Sequence, residues 1–146
     1  MTDDGPGEPG RPPAASEAGR WDARRRLAVG GRPPAVAVVG PCASGKSTLT
    51  AALRAAGYDA RQPAQEHSYV PDMWRRLTDP DVLIYLDVSY EALLARRPNF
   101  GEREFLERER ARLAHARAHA DLVIDTSALT AEAVLARVVG FLKSAG

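Results

Sequence analysis

The sequence predicts a three-layer α/β domain in which helices cover both faces of a short parallel sheet of about four strands. From Ala35 onward, short apolar runs alternate with segments whose apolar residues recur at helical spacing. Apolar runs without polar alternation are typical of strands buried on both faces. Strands that alternate with helices pair in parallel, because each helix carries the chain back across one face of the sheet.

Four segments are predicted as strands. The apolar run at 35–39 ends at Gly40, and the run at 82–88 is the strongest strand pattern in the chain. The pattern at 58–61 is weak, and the segment at 121–125 is the last predicted strand.

Five segments are predicted as helices, and they span residues 46–56, 70–77, 90–97, 102–120 and 131–142. Leu49 and Leu53 lie at helical spacing in the first helix, and Gly57 provides its C-terminal stop. Ser89 can cap the third helix, which Pro98 ends.

The predicted helix at 102–120 is rich in charge. One side of this helix carries Phe105, Leu106, Glu109 and Leu113. Its Glu and Arg residues mostly form pairs on a solvated face, although Arg108 and Arg112 could instead belong to a lid. His115 and His119 are four residues apart, as in some metal sites, but no third ligand is apparent, and a solvated helix face is favoured.

Residues 1–34 are predicted to be a disordered tail, and residues 35–146 a single domain. The tail holds six of the eleven prolines and six of the twelve glycines, with few large apolar residues. Such a segment buries too little surface to offset the entropy lost on ordering.

The composition excludes several classes of protein. A net charge of +1 gives no overall field for nucleic acid, and one cysteine excludes a disulfide framework or a zinc site built from cysteines. No apolar run approaches the roughly 18 residues of a membrane span, and the acidic start is unlike a secretory signal. We therefore expect a cytoplasmic protein, with neither membrane nor nucleic acid as a partner.

Residues 40–47, GPCASGKS, match the P-loop pattern G-x-x-x-x-G-K-[ST] between a predicted buried strand and a helix. The glycines let the backbone wrap closely, so that N–H groups and the helix N-terminus face a phosphate. The predicted nucleotide-binding residues are Gly40, Pro41, Cys42, Ala43, Ser44, Gly45, Lys46, Ser47 and Thr48.

Lys46 is one of two lysines in a chain with eighteen arginines. Lysine is a compact point charge, whereas arginine is a broad planar fork. A lone ammonium between β- and γ-phosphate oxygens therefore explains a lysine at this position. Ser47 is expected to supply a hydroxyl ligand to Mg²⁺, so the predicted ligands are ATP or another nucleoside triphosphate and Mg²⁺. The N–H groups around Cys42 could lower its thiol pKa, although a small inert residue is the favoured interpretation.

From Gly40 onward, the chain resembles the small P-loop kinases, the group that contains adenylate, shikimate and gluconate kinases. The resemblance rests on VVGPCASGKSTLTAAL (38–53), DVLIYLDVSYEALLARR (81–97) and ADLVIDTSALTAEAV (120–134). It implies a P-loop NTPase fold and phosphoryl transfer from ATP. It also implies that Arg96, Arg97 and Arg103 correspond to lid arginines that clamp the transferring phosphate.

The chain departs from these kinases between the second and third predicted strands. Only residues 62–81 fill an interval that usually holds an acceptor-binding helical region and a further strand. That strand often supplies the acid that holds the waters of Mg²⁺. Asp87 and Glu66 are equal candidates for this acid, and Asp59 is a weaker one. In the kinases, the position that corresponds to Asp87 lies one strand further from the P-loop strand. The lid, PNFG, is also short.

The stretch at 61–74 is dense in polar and aromatic residues and follows a strand on the side where such sheets bind ligands. Its candidate acceptor-pocket residues are Gln65, Glu66, His67, Tyr69 and Trp74. The alternative is an ordinary surface loop that Trp74 anchors to the core.

The first hypothesis for function is a small ATP-dependent phosphotransferase that acts on a small molecule, with Lys46, Arg96, Arg97 and Glu66 as its catalytic residues. The alternative is a nucleotide-binding switch or slow NTPase that signals to a partner protein. The shortened acceptor region and the predicted tail motivate this alternative, and a degenerate domain kept for structure is a third possibility.

Overall fold

The computed structural model describes residues 33–145, so the prediction of a disordered tail falls almost wholly outside the described residues. Four strands form one all-parallel sheet in the order β2-β1-β3-β4, and they are Ala35–Val39 (β1), Asp59–Arg61 (β2), Val82–Asp87 (β3) and Leu122–Asp125 (β4). The prediction of a short parallel sheet of about four strands is confirmed. The central strand β1 is paired on both sides, with β2 and with β3.

Within residues 33–145, six α-helices connect and flank these strands, and they are Lys46–Ala55 (α1), Met73–Thr78 (α2), Tyr90–Arg96 (α3), Arg103–Arg112 (α4), Ala114–His119 (α5) and Ala131–Ala145 (α6). A single 3-10 turn covers Gln65–His67. The predicted cap is confirmed, because the Ser89 hydroxyl accepts a hydrogen bond from the Ala92 N–H at 3.1 Å. Gly57 has a φ of 98° just after α1, as a glycine that ends a helix requires.

The two faces of the sheet bury different side chains because neighbouring residues of a strand point in opposite directions. One face packs Val36, Val38 and Ile84 against α1 and α6, through residues such as Leu53 and Val138. The other face carries Ala37, Val39, Leu83 and Tyr85, which pack against Trp74 of α2 and against Leu113 and Ala116. Helices therefore cover both faces, and the predicted three layers are confirmed.

The single helix predicted over 102–120 is wrong, because the structure has two helices that meet at Leu113. The Leu113 N–H donates to the carbonyls of both Glu109 and Arg110, and Leu113, with φ −95° and ψ −3°, ends the first helix and precedes the second. Leu113 and Ala116 are fully buried against the sheet face that carries Tyr85. The interruption of the helix at Leu113 thus falls where the segment packs on the sheet.

The predicted solvated face for His115 and His119 is also wrong. Both imidazoles are half-buried, they stack with ring centroids 4.2 Å apart, and both lie beside the Trp74 indole. The indole N–H donates to His115 Nδ1 at 3.2 Å. Trp74 is fully buried, so these two imidazoles serve to cover and satisfy a core tryptophan.

None of the helices in the described part of the chain is both long enough and apolar enough to cross a membrane.

Candidate functional site

The glycine loop, residues 40–47, connects the C-terminal end of β1 to the start of α1. Gly40 has a φ of 155°, and a Cβ there would overlap the carbonyl oxygen of Leu86 on the neighbouring strand β3. Gly45 has a φ of 104°, and apart from its chain neighbours no described residue comes within 4 Å of the place where its Cβ would be. The loop therefore passes close to the backbone of β3 at Gly40 and faces open space at Gly45.

Backbone N–H groups converge where the loop enters α1. Ala43 also has positive φ, at 62°, and such a change of hand turns successive N–H groups toward one concave side. Within the described residues, the N–H groups of Gly45, Lys46, Ser47 and Thr48 donate no recorded hydrogen bond. They add the partial positive charge of a ten-residue helix N-terminus to this concavity.

Lys46 lies over the glycine loop and contacts Glu66. Its ammonium donates to the Pro41 carbonyl at 3.0 Å and lies 3.1 Å from Glu66 Oε2. Both side chains are nearly buried, at 11% and 6% exposure, so this ion pair is shielded from water. The other oxygen, Glu66 Oε1, is buried without a hydrogen-bond partner in the described structure. Two residues that were predicted separately thus form one charged pair.

Ser47 and Gln62 form the mouth of the glycine loop. Gln62 Nε2 donates to the Ser47 hydroxyl at 3.1 Å. Sequence reasoning missed Gln62, although it directly follows β2 and so leaves the sheet at the same edge as the loop.

Glu109 of α4 is the most important residue that the sequence did not single out for the site. Its carboxylate accepts hydrogen bonds from the Cys42 N–H and from the Cys42 thiol, both at 2.9 Å. Burial, followed by this hydrogen bond, raises the pKa of the Cys42 thiol to about 11. The alternative of a thiol pKa lowered by neighbouring N–H groups is therefore wrong, because burial and the Glu109 carboxylate raise this pKa.

Arg96 and Thr126 hold the outer side of the glycine loop. The Arg96 guanidinium donates to the Ala43 carbonyl at 2.7 Å and to the Thr126 carbonyl at 2.6 Å. The Thr126 hydroxyl in turn donates to the Ser44 carbonyl at 2.8 Å. Because these contacts tie the loop to the segment after β4, Arg96 supports the backbone of the loop.

Arg97 follows α3 and remains exposed, with no recorded ion pair or hydrogen bond of its guanidinium within residues 33–145. Arg103 lies elsewhere, paired with Glu91 at 3.0 Å and stacked on the Tyr90 ring. The structure therefore brings two of the three predicted lid arginines to the loop, and it brings Arg103 to α3 instead.

A cavity of about 600 Å³ opens beside the glycine loop, between α1 and α6. Its walls are mostly apolar, and they include Leu49, Ala52, Leu129, Val134 and Leu135. The loop forms one end of the cavity, where Arg96 and Arg97 also lie, and Glu132 adds a carboxylate to its wall.

The three candidate acids occupy different places. Asp59 pairs in register with Ala35, at the start of β1, whereas the loop follows the opposite end of that strand. Since β1 rises about 3.3 Å per residue, Asp59 lies a full strand length from the loop. Asp87 ends β3, which pairs directly with β1, so the described sheet has no further strand between them, unlike the kinases that the sequence resembles. The Asp87 carboxylate contacts Arg110 at 3.4 Å.

Two of the five candidate pocket residues, Gln65 and Trp74, fix the stretch at 61–74 to the rest of the domain. The fully buried Gln65 amide donates to the Val70 and Arg112 carbonyls and accepts from the Trp74 N–H at 2.8 Å. Gln65 and Trp74 are therefore buried and anchor the loop, and for Trp74 this agrees with the surface-loop interpretation.

Tyr69 is 84% exposed and stacks against Arg112, whose guanidinium lies 4.6 Å from the ring centre and donates to the phenol oxygen. A second cavity, of about 330 Å³, is lined by Ser68, Tyr69, Pro71, Arg108, Ala111 and Arg112. Arg108 and Arg112 thus belong to this second cavity and lie on the same helix as Glu109.

The fold and the loop define a small parallel α/β domain with a backbone concavity after its first strand. No model of a known protein family matches the sequence, and no curated protein was found to be similar to it.

Proposed function

We propose that this protein is a small phosphotransferase that binds a nucleoside triphosphate with Mg²⁺ at the glycine loop and phosphorylates a small-molecule acceptor. The observation that carries the proposal is the concavity at Gly45, where four N–H groups without recorded partners adjoin the Lys46 ammonium and open space. Donors that converge on open space suit an anion with several oxygens, and a phosphate chain is such an anion.

The nucleoside has a suitable place beside the loop. The cavity between α1 and α6 has the volume of a small-molecule site and mostly apolar walls, which suit the flat faces of a base. A triphosphate on the loop can therefore continue into this cavity without crossing the sheet.

Mg²⁺ is a hard cation that prefers oxygen ligands, and its candidate ligands here are the Ser47 hydroxyl of the loop and the Glu66 carboxylate of the 3-10 turn. The Ser47 hydroxyl stands at the mouth of the loop, and the Glu66 carboxylate reaches the Lys46 ammonium with one oxygen and leaves the other without a partner. These two residues fit a magnesium ion bound with the nucleotide. Glu66 is favoured over Asp87 because Glu66 Oε1 has no partner in the described structure, whereas the Asp87 carboxylate contacts Arg110 and accepts a hydrogen bond from the Val88 N–H. Such an ion would neutralise phosphate charge, and Lys46 and Arg97 would add to that effect.

The acceptor is expected on the side of the 3-10 turn, across the loop from the nucleoside cavity. The second cavity presents the cations Arg108 and Arg112 together with the exposed Tyr69 ring. This lining suits a small acceptor that carries a negative charge or an aromatic face.

A binding switch or slow NTPase is the second candidate, and the Lys46–Glu66 contact favours it. Lys46 already has a carbonyl and a carboxylate as partners. A phosphate that draws Lys46 away would free Glu66 and the 3-10 turn that carries it, and such a movement could signal to a partner protein.

The test is thermal unfolding of the full chain with nucleotides, with and without Mg²⁺, in the parent and in Lys46 variants. At 100 times its dissociation constant, a bound nucleotide should add about 2.7 kcal/mol to the stability of the parent. Lys46→Ala should lose this gain, and Lys46→Arg should lose it as well, because the nearly buried space between Pro41 and Glu66 suits a compact ammonium.

Both variants leave Glu66 poorly paired and should unfold earlier without ligand, so each ligand shift is measured against that variant's own ligand-free midpoint. Lys143→Ala, which removes the other lysine from the last turn of α6, is the matched control and should respond like the parent. Equal stabilisation of Lys46→Arg and the parent by ATP and Mg²⁺ would contradict the assignment of Lys46.

A further inference from the structure

Cys42, His67 and Glu109 bring three different metal-binding atoms together from three separate parts of the chain. Cys42 belongs to the glycine loop, His67 ends the 3-10 turn, and Glu109 lies in α4. The Cys42 sulfur is 2.9 Å from Glu109 Oε2 and 3.9 Å from His67 Nε2, and all three ligand atoms lie within 4.8 Å of one another. Cys42 is the only cysteine of the chain.

The charges around this cluster favour a cation. Two carboxylates, Glu66 and Glu109, are about 95% buried, and one ammonium, Lys46, contacts the first of them. Glu66 Oε2 also lies 3.8 Å from His67 Nε2, and Glu66 Oε1 is buried without a partner in the described structure. Buried carboxylates that outnumber the cations in contact with them are costly unless a further positive charge joins them.

We infer that Cys42, His67 and Glu109 form a binding site for a zinc-like divalent cation, with a fourth position open to water. The donor set of one sulfur, one imidazole nitrogen and one carboxylate oxygen is typical of Zn²⁺ and unlike the all-oxygen sets of Mg²⁺ and Ca²⁺. This site is distinct from the magnesium site proposed at Ser47 and Glu66, and it does not depend on nucleotide turnover.

The geometry needs only small adjustments to hold the ion. Zinc bonds of about 2.3 Å to sulfur and about 2.0–2.2 Å to nitrogen or oxygen place tetrahedral ligand atoms about 3.5 Å apart. The sulfur–nitrogen distance of 3.9 Å must shorten slightly, and the sulfur–oxygen distance of 2.9 Å must lengthen. The half-exposed His67 ring has room to move, since its side chain is 59% exposed.

Binding exchanges one proton for the ion. In the structure the thiol proton of Cys42 lies on the hydrogen bond to Glu109 Oε2. When the cation binds, the S–H bond breaks, the proton leaves to solvent, and a sulfur–metal bond replaces it. Nothing is oxidised or reduced. The bound ion would fasten the glycine loop to α4 and to the 3-10 turn, and so fix the loop that is proposed to bind phosphate.

The experiment titrates chelator-treated full chain with ZnCl₂ in a calorimeter and with CoCl₂ in a spectrophotometer. We expect one ion per chain, with a thiolate-to-cobalt charge-transfer band and the intense visible bands of tetrahedral cobalt. Cys42→Ser should abolish the charge-transfer band, and His67→Ala and Glu109→Gln should each weaken Zn²⁺ binding by at least about 10- to 100-fold. His119→Gln is the control for an imidazole elsewhere and should bind like the parent.

His67→Ala keeps the proposal falsifiable if substitution of the more buried ligands prevents folding, because its exposed side chain contributes little to the core. Unchanged Zn²⁺ affinity in folded His67→Ala would overturn the site. So would an octahedral cobalt spectrum without the thiolate band, or a loss of binding in His119→Gln. Failure of nucleotide binding in the Lys46 experiment would leave the zinc result standing, because none of the three ligands is Lys46.

Discussion

At the scale of single residues, the glycine loop is defined by two charged contacts that reach it from outside. Lys46 is held by Glu66 of the 3-10 turn, and Cys42 is held by Glu109 of α4. Each contact joins a loop residue to an almost fully buried carboxylate, and a lost partner would leave that carboxylate without compensation. The loop therefore depends on residues well beyond its own motif.

The sequence predicted the residues of the loop and singled out Glu66, but it indicated neither the Lys46–Glu66 contact nor Glu109. The spacing of Gly40, Gly45 and Lys46 is local, so a motif can reveal it. Glu109 is 67 positions from Cys42, and in the sequence it resembles the other acids of a charged helix. Only the packing of α4 against the 3-10 turn sets it apart, and no local pattern encodes that packing.

Arg96 and Arg97 are predicted to have separable roles. Arg97→Ala should reduce turnover by about 10²–10³ while ATP affinity changes little, because its exposed guanidinium is free to meet charge that develops on the transferring phosphoryl group. Arg96→Ala should lower both ATP affinity and turnover, because it releases the Ala43 and Thr126 carbonyls and so loosens the loop. Steady-state turnover and ATP dissociation constants, measured side by side, distinguish the two.

Arg137→Ala, on the exposed side of α6, is the matched control and should retain both parental values. In a binding switch no transition state is favoured, so Arg97→Ala would then alter ground-state affinity alone. Parental turnover on every accepted substrate in both Arg96→Ala and Arg97→Ala would refute the kinase assignment of this segment.

At the scale of elements, the strands were easier to predict than the helices of 102–120. Strand β3 reads as an unbroken apolar run because both of its faces are buried, and this pattern survives in the sequence. The break between α4 and α5 leaves no such trace, because leucine is a good helix former and Leu113 suits a continuous helix. Leu113 and Ala116 pack against the sheet, and such packing is a property of the assembled layers.

The contact between α2 and α5 is predicted to weaken in acid. Burial, followed by the neighbouring His119 and Arg75, lowers the pKa of His115 to about 4. Protonation would also remove the lone pair that accepts the Trp74 indole hydrogen bond. The unfolded chain therefore takes up a proton near its ordinary pKa of about 6.5, while the folded chain stays neutral until about pH 4. Stability should be constant above pH 7 and should fall as the pH drops from 6.5 toward 4.

The free energy of unfolding, measured with urea at about pH 7.5, 6.5, 5.5 and 4.5, tests this effect. His115→Gln, which keeps a hydrogen-bond acceptor without the titration, should show a smaller loss of stability over the same interval. Asp72 acts in the opposite sense on His115, so Asp72→Asn should lower the folded pKa of His115 further and enlarge the loss of stability below pH 6.5. An identical pH dependence in His115→Gln and the parent would assign the effect to other groups.

At the scale of the whole molecule, the strand order places the loop in the middle of the sheet. Strand β1 has β2 on one side and β3 on the other, so residues that leave three neighbouring strands meet around the loop. The glycine loop follows β1, Gln62 follows β2 and Asp87 ends β3, so all three lie at this end of the sheet although they are far apart in the chain. The parallel order could be predicted from the alternation of elements, but the position of β2 could not, because three residues give too little pattern.

The predicted tail is the remaining statement about the whole chain, and its test is a deletion. Residues 33–145 contain a sheet that is covered on both faces, and a buried core that includes Leu53, Ile84 and Trp74. A segment rich in proline and glycine adds no packed surface if it behaves as its composition predicts. Deletion of residues 1–32 should therefore change Tm by less than about 2 °C and should leave ATP affinity unaltered.

Scanning calorimetry and nucleotide titration of both chains measure this, and replacement of Trp21 and Leu27 by alanine in the full chain is the control. A loss of stability in both the deletion and the alanine variant would mean that these two side chains pack against the domain. A loss in the deletion alone would assign the contact to the backbone or to the arginines at 24–26.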